Sequence, residues 1–204
     1  MGRFDVGVVE GRRVGSRAND ASWGTLNRRQ LLKIGTVIAG CAIAPGAAMA
    51  ALRVGYAPER SLKIYNLHTG ESLNATYCEK GCYVGEALRD INYIMRDFRA
   101  NEIKPIDTRL LDLLYTLNRR LDTSEPFQLI SGYRTPKTNA MLAARSEGVA
   151  HHSLHIEAKA ADIRVPGRQL REVWMASMSL MAGGVGYYPR SDFVHVDVGR
   201  VRYW

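Results

Sequence analysis

Gly183-Gly-Val-Gly-Tyr-Tyr-Pro-Arg-Ser-Asp-Phe-Val-His-Val-Asp-Val198 is the stretch whose reading decides the fold. Val185 to Tyr188 and Phe193 to Val198 read as strands, with Pro189-Arg190-Ser191 as the turn between them. Side chains two apart on a strand share a face, so His195 and Asp197 project together. Upstream, Ala161 to Val165 is another strand-like run, and it is preceded by Ser153-x-His155 and then, after six residues, Asp162. Two histidines and one carboxylate are the ligand count of an open catalytic zinc site, whose fourth position is left to water. Zinc brings the pKa of such a water to near neutrality. Paired strands would hold His155, Asp162 and His195 rigidly.

Working outward, the remaining elements alternate between strand and helix patterns. Ser61 to Tyr77 alternates apolar and polar residues around His68-Thr69-Gly70-Glu71, a hairpin extended by Cys82 to Val84. Leu88, Ile91, Ile94, Met95 and Phe98 fall at helical spacing and predict a helix over about 86–99 with one apolar face. Asp107 or Thr108 caps a second, leucine-rich helix through Leu121, buried on more than one side. Phe127 to Ile130 is a short strand leading into Ser131-Gly132-Tyr133-Arg134. Pro136 opens a third helix, ended by Gly148. Residues 149–159 form a loop that delivers His155. A last helix spans about 168–181, and its Met175, Met178 and Met181 read as core filler. The fold class is α+β: a single domain with a small antiparallel sheet carrying the site and helices flanking it.

The first 50 residues are of another kind. Residues 1–26 are rich in Gly and Arg without apolar periodicity, and Asn27-Arg28-Arg29-Gln30-Leu31-Leu32-Lys33 then opens an apolar run to Ala51. This looks like a twin-arginine export signal with a small-x-small cleavage site, Ala48-Met49-Ala50. The domain division expected is therefore 1–50 as extension and signal, and 51–204 as the folded domain, with its core at about 61–204. Two alternatives stand beside cleavage: an uncleaved membrane anchor, and acylation at Cys41 in the lipobox-like Ile38-Ala39-Gly40-Cys41. Without residues 1–50 the charged side chains number 21 basic and 17 acidic, so the net charge falls from +8 to +4. That mild excess does not point to a nucleic-acid binder. Cys78 and Cys82 lie in a hairpin-like segment with Gly81 at its turn, and in an oxidising compartment a disulfide between them is expected, worth about 2 kcal/mol.

Taken together, Ser-Gly-Tyr-Arg at 131–134, Ser153-x-His155 with Asp162, Gly-Gly-Val-Gly-Tyr-Tyr at 183–188 and Phe-Val-His195-Val-Asp resemble the zinc peptidases of the D-Ala-D-Ala metallopeptidase clan. That clan includes lysostaphin-type enzymes and shares its fold with the hedgehog signalling domain. Within it the chain is most similar to the twin-arginine-exported murein endopeptidase K group. The resemblance implies one zinc ion held by His155, Asp162 and His195, and Arg134 beside the scissile carbonyl as oxyanion stabiliser. Ser153 and Tyr133 are expected to line the substrate cleft, while His68, His151 and His152 read as ordinary surface or loop histidines, with substrate contact open to His151 and His152 and assigned to His152. Asp192, three residues before the last ligand, matches the clan's general base and is preferred over Asp197. The other of the two would orient His195.

The function expected on this basis is a periplasmic zinc endopeptidase that cuts meso-diaminopimelate cross-links in peptidoglycan, with the twin-arginine translocase as its partner in export. A carboxypeptidase trimming stem peptides and a non-catalytic peptidoglycan-binding domain are the alternatives. Oligomeric state is not legible in the spacing.

Overall fold

The computed structural model describes residues 58–145, 149–150 and 152–204; the export-signal features at Arg28, Arg29, Cys41 and Ala50 lie outside them. Among the described residues there are eight strands and four helices. In chain order they are β1 (Arg60–Asn66), β2 (Ser72–Glu79), β3 (Cys82–Tyr83), α1 (Gly85–Ile94), α2 (Thr108–Arg120), β4 (Phe127–Ser131), α3 (Pro136–Ala143), β5 (Ala160–Arg164), α4 (Leu170–Ser179), β6 (Gly184–Tyr188), β7 (Phe193–Asp197) and β8 (Arg202–Tyr203). The strands form one sheet in the order β3-β2-β1-β4-β5-β7-β6-β8. The α+β class holds, but the sheet is larger than expected and mixed: β1 runs parallel to β4 and β6 parallel to β8. Both parallel pairs join segments far apart in sequence, and β8 is too short to register as a pattern.

The core follows from alternation. Ala161 and Ile163 on β5 and Val194 and Val196 on β7 are fully buried in the apolar cluster. Their neighbours Asp162, His195 and Asp197 therefore point to the other face of the same strands. Helix α2 packs on β1, α1 on β2, and α4 on β6 and β7. Asp107 caps α2 by accepting from the Arg109 N–H, and Leu110, Leu111, Leu113, Leu114 and Leu117 are all buried. Each such leucine contributes about 1.5–3 kcal/mol of burial.

Two expectations about helices change. Helix α1 stops at Ile94 because Asp97 turns the chain: its Oδ1 accepts from the Arg99 and Ala100 N–H groups at 3.0 and 3.3 Å. Phe98, read as part of the helical stripe, instead stacks on His68 with ring centroids 4.3 Å apart. On α4 and just beyond it, Met175 and Met181 are 54% and 69% exposed, so of the three methionines only Met178 packs against the core.

The expected disulfide is not formed. Cys78 pairs across the β2–β3 ribbon with Tyr83, and Glu79 with Cys82. The cysteines thus sit in adjacent, not facing, register positions and project to opposite faces. Cys78 is buried and receives a hydrogen bond from Arg60 Nη2 at 2.8 Å, while Cys82 is an exposed free thiol.

Candidate metal centre and active site

Register builds the site. Asp162 on β5 lies directly opposite His195 on β7, so both side chains rise from the same face of neighbouring strands. His155 arrives from the loop before β5. That loop is held down by bonds from the Arg134 and Ala158 N–H groups to the His155 carbonyl, at 3.1 Å each. The result is a triangle of donor atoms. His155 Nε2 and His195 Nδ1 are 3.2 Å apart, Asp162 Oδ1 is 3.2 Å from the first and 2.9 Å from the second, and all three residues are buried. A tetrahedral metal with bonds of about 2.0–2.1 Å separates its ligands by about 3.3 Å, so this triangle has the size of one tetrahedral face.

The other ring nitrogens are fixed. His155 Nδ1 donates to the Gly132 carbonyl at 2.6 Å. Gly132 has to be glycine, because a Cβ there would lie 2.4 Å from the Met95 carbonyl oxygen. His195 Nε2 is 3.0 Å from Asp197 Oδ2. Each imidazole thus turns its other nitrogen toward the shared point, the arrangement that orients histidine ligands and raises their basicity.

Charge follows the same plan. Burial pushes the His155 pKa down, against the pull of Asp162, and favours the neutral ligand form. For His195 burial also works against charge, but the hydrogen bonds to Asp162 and Asp197 outweigh it and raise its pKa. Burial alone would raise Asp162, yet the two histidines hold it well below the usual carboxylate range. Its second oxygen accepts from Arg134 Nη2, and Arg134 Nε donates to Ser131 Oγ at 2.7 Å.

The triangle opens into a cavity of about 100 Å³ whose walls include Arg134, His152, Ser153, Tyr188, Phe193 and Trp204. Ser153 and His152 thus both lie in that lining. Tyr133 does not: it is buried, and its hydroxyl donates to Glu102 Oε1 at 2.9 Å, away from the cavity lining. Asp192 is not brought into the cavity either. It follows the β6–β7 turn with φ at 52°, and its carboxylate pairs with Arg164 Nε at 3.1 Å with 62% of the side chain exposed.

Asp197 is fully buried and saturated. Oδ2 accepts from His195 and from Arg202 Nη2 at 2.8 Å, and Oδ1 from the Gly184 and Gly199 N–H groups at 2.9 and 2.8 Å. It orients His195 and leaves no lone pair aimed at a substrate. Sequence reading missed Arg202 and Trp204, whose ring lies 5.4 Å from that of His195. The one available signal was Arg202-x-Trp204 close behind the last ligand strand.

A family model described as peptidoglycan L,D-endopeptidase MepK matches residues 55–204, which include every residue of the site. The chain belongs to the MepK family. The peptidoglycan L,D-endopeptidase MepK of Escherichia coli (strain K12) is 48% identical over 178 residues, covering 87% of this chain and 97% of that one. The probable MepK of Haemophilus influenzae is 37% identical over 179 residues, covering 87% and 95%. No solved structure matches the chain. Membership in the MepK family agrees with the resemblance read from the motifs, and among the described residues no helix is long and apolar enough to cross a membrane.

Proposed function

We propose that this protein is a zinc-dependent endopeptidase that hydrolyses peptide cross-links between meso-diaminopimelate residues of peptidoglycan, acting in the periplasm after twin-arginine export. The observation that carries the reading is the donor triangle of His155 Nε2, Asp162 Oδ1 and His195 Nδ1, with its size and fixed tautomers, in a member of the MepK family. The relatives' names supply the substrate class. Export rests on Arg28-Arg29 and the apolar run behind them.

His155, Asp162 and His195 would hold the ion, and two imidazoles with one carboxylate suit zinc. When bound, zinc supplies a Lewis acid for the scissile carbonyl and an activated water. The chain's own groups do the rest. Arg134 keeps a permanent positive charge at the edge of the triangle, where a developing oxyanion is stabilised by a donor that needs no reorganisation. Its bonds to Ser131 and Asp162 hold the guanidinium plane in place. Tyr188 and Phe193, stacked at 4.5 Å, form with Trp204 an aromatic wall that positions a peptide and excludes water. With Asp197 saturated and Asp192 tied to Arg164, His152 is the candidate to take the proton, since it lines the cavity outside the donor triangle.

The test is hydrolysis of purified peptidoglycan by the zinc-loaded and chelator-stripped protein, with muropeptides resolved by mass. Zinc-dependent loss of cross-linked dimers is expected. Intact dimers with shortened stems would make the protein a carboxypeptidase, and unchanged muropeptides despite bound zinc would overturn the enzymatic reading.

A further inference from the structure

A second cavity adjoins the first. Its walls include His68, Arg99, Ser131 and Leu142, and it shares Arg134, Asp162, Tyr188 and Phe193 with the cavity over the donor triangle. The two therefore adjoin along these residues and form a trough beside the triangle, with Arg99 on the wall of its far part.

Arg99 differs from the other arginines of the trough. Arg134 is paired with Asp162 and Arg202 with Asp197, whereas Arg99 has no carboxylate partner among the described residues. Its guanidinium lies 4.3 Å from the centroid of the Phe98 ring, which is itself stacked on His68. Partial burial and the like charge of Arg134 disfavour its charged form, against the opposing pull of Asp97. Asp97 makes no side-chain ion pair with it: that carboxylate is engaged by the Arg99 and Ala100 N–H groups and, through Oδ2, by the Thr135 N–H and hydroxyl at 2.8 and 2.9 Å. The same carboxylate thus ties the turn that carries Arg99 to the residue next to Arg134. The positive charge forms no ion pair among the described residues, is backed by an aromatic ring and is set on a braced turn, which is how a protein prepares a site for an anionic group of its ligand.

We propose that Arg99 is a specificity-determining residue that binds a carboxylate of the substrate peptide. The assignment rests on the proposed peptidoglycan reading. A diaminopimelate residue cross-linked through its second amine keeps a carboxylate on the carbon that bears that amine, beside the scissile bond. An amide at that position would offer neither the charge nor two equivalent acceptors to the guanidinium fork.

The experiment uses the full chain, loaded with zinc, and three synthetic cross-linked peptides: one with free carboxylates, one with that diaminopimelate carboxylate converted to carboxamide, and one amidated only at the peptide C-terminus. Wild type should prefer the free peptide over the diaminopimelate amide by about 10- to 100-fold in kcat/KM, expressed in KM, as for loss of one charge-assisted contact. Arg99→Gln should lower kcat/KM on the free peptide by a similar factor, leave the diaminopimelate amide within about threefold of wild type, and so erase the preference. Equal losses on both peptides, or no loss on either, would overturn the proposal. A preference that follows the terminal carboxylate instead would overturn the assignment to diaminopimelate. The same pairings measured by calorimetry on the zinc-free protein read recognition without turnover. Discrimination there with no hydrolysis anywhere would sink the catalytic reading and leave Arg99 in place; no discrimination would sink the role of Arg99.

Discussion

Asp197→Asn is nearly isosteric, yet it should weaken zinc binding by one to two orders of magnitude. In the native site Oδ2 accepts from His195 Nε2 at 3.0 Å and from Arg202 Nη2, while Oδ1 takes two backbone N–H groups and Arg202 Nη1 at 3.1 Å. An asparagine can keep its oxygen on the two N–H groups only by turning its amide NH2 toward His195 and Arg202. That NH2 then donates to Nε2, which moves the ring proton to Nδ1, the nitrogen that belongs to the donor triangle. Loss of a carboxylate behind a ligating histidine costs roughly 10- to 100-fold in metal affinity or activity, or about 1.4–2.8 kcal/mol. The assay is competition for zinc with a chromophoric chelator near neutral pH, alongside a thermal melt of the zinc-free protein to separate ligand misorientation from loss of the Arg202 pair. An Asp197→Asn protein that binds zinc as tightly as wild type would refute the tautomer argument. Asp192→Asn is the internal control: its side chain is mostly exposed and paired with Arg164, so zinc affinity and hydrolysis should both stay within about twofold of wild type, as for a surface substitution.

Zinc affinity should fall as pH falls, because His195 is held in its protonated form more readily than a free histidine and that proton must leave before the ring can ligate. One displaced proton gives about a tenfold loss per pH unit below the raised pKa, read from chelator-buffered titrations, and a flat profile would contradict it. Arg134→Lys should retain zinc but lose about 100- to 1000-fold in kcat on cross-linked muropeptides, since the ammonium cannot reproduce the planar contacts beside the developing charge. Cys82→Ser should leave the melting temperature unchanged under oxidising and reducing conditions alike, and a thiol reagent should modify Cys82 quickly but Cys78 only on unfolding.

What the sequence made legible was whatever depends on local spacing. His155, Asp162, His195 and Arg134 could be picked out because their motifs sit on short strands and tight turns whose geometry is fixed within a few residues. Asp192 could not be placed in that way. Three residues from His195 is an odd step along a strand, and the positive φ at Asp192 further turns its side chain toward Arg164. Asp197 was visible as a neighbour of His195, but its role depended on which imidazole nitrogen it met. The cysteines failed on parity, since a shift of one residue in the β2–β3 register decides whether they face each other. Arg99 and His68 come together only because α1 ends early and Asp97 folds the chain back, a tertiary event with no periodic signature.

The donor triangle is assembled from a loop and two strands that become neighbours only when β7 pairs with β5. An unfolded chain has no such triangle, so an ion bound there would stabilise the sheet in which β7 pairs with β5. On the zinc reading, a site of this kind would also take copper and nickel readily, so the ion it holds would depend on the ions available as well as on the ligands. Whichever compartment hosts the pairing of β7 with β5 sets the pool of ions the newborn site meets first.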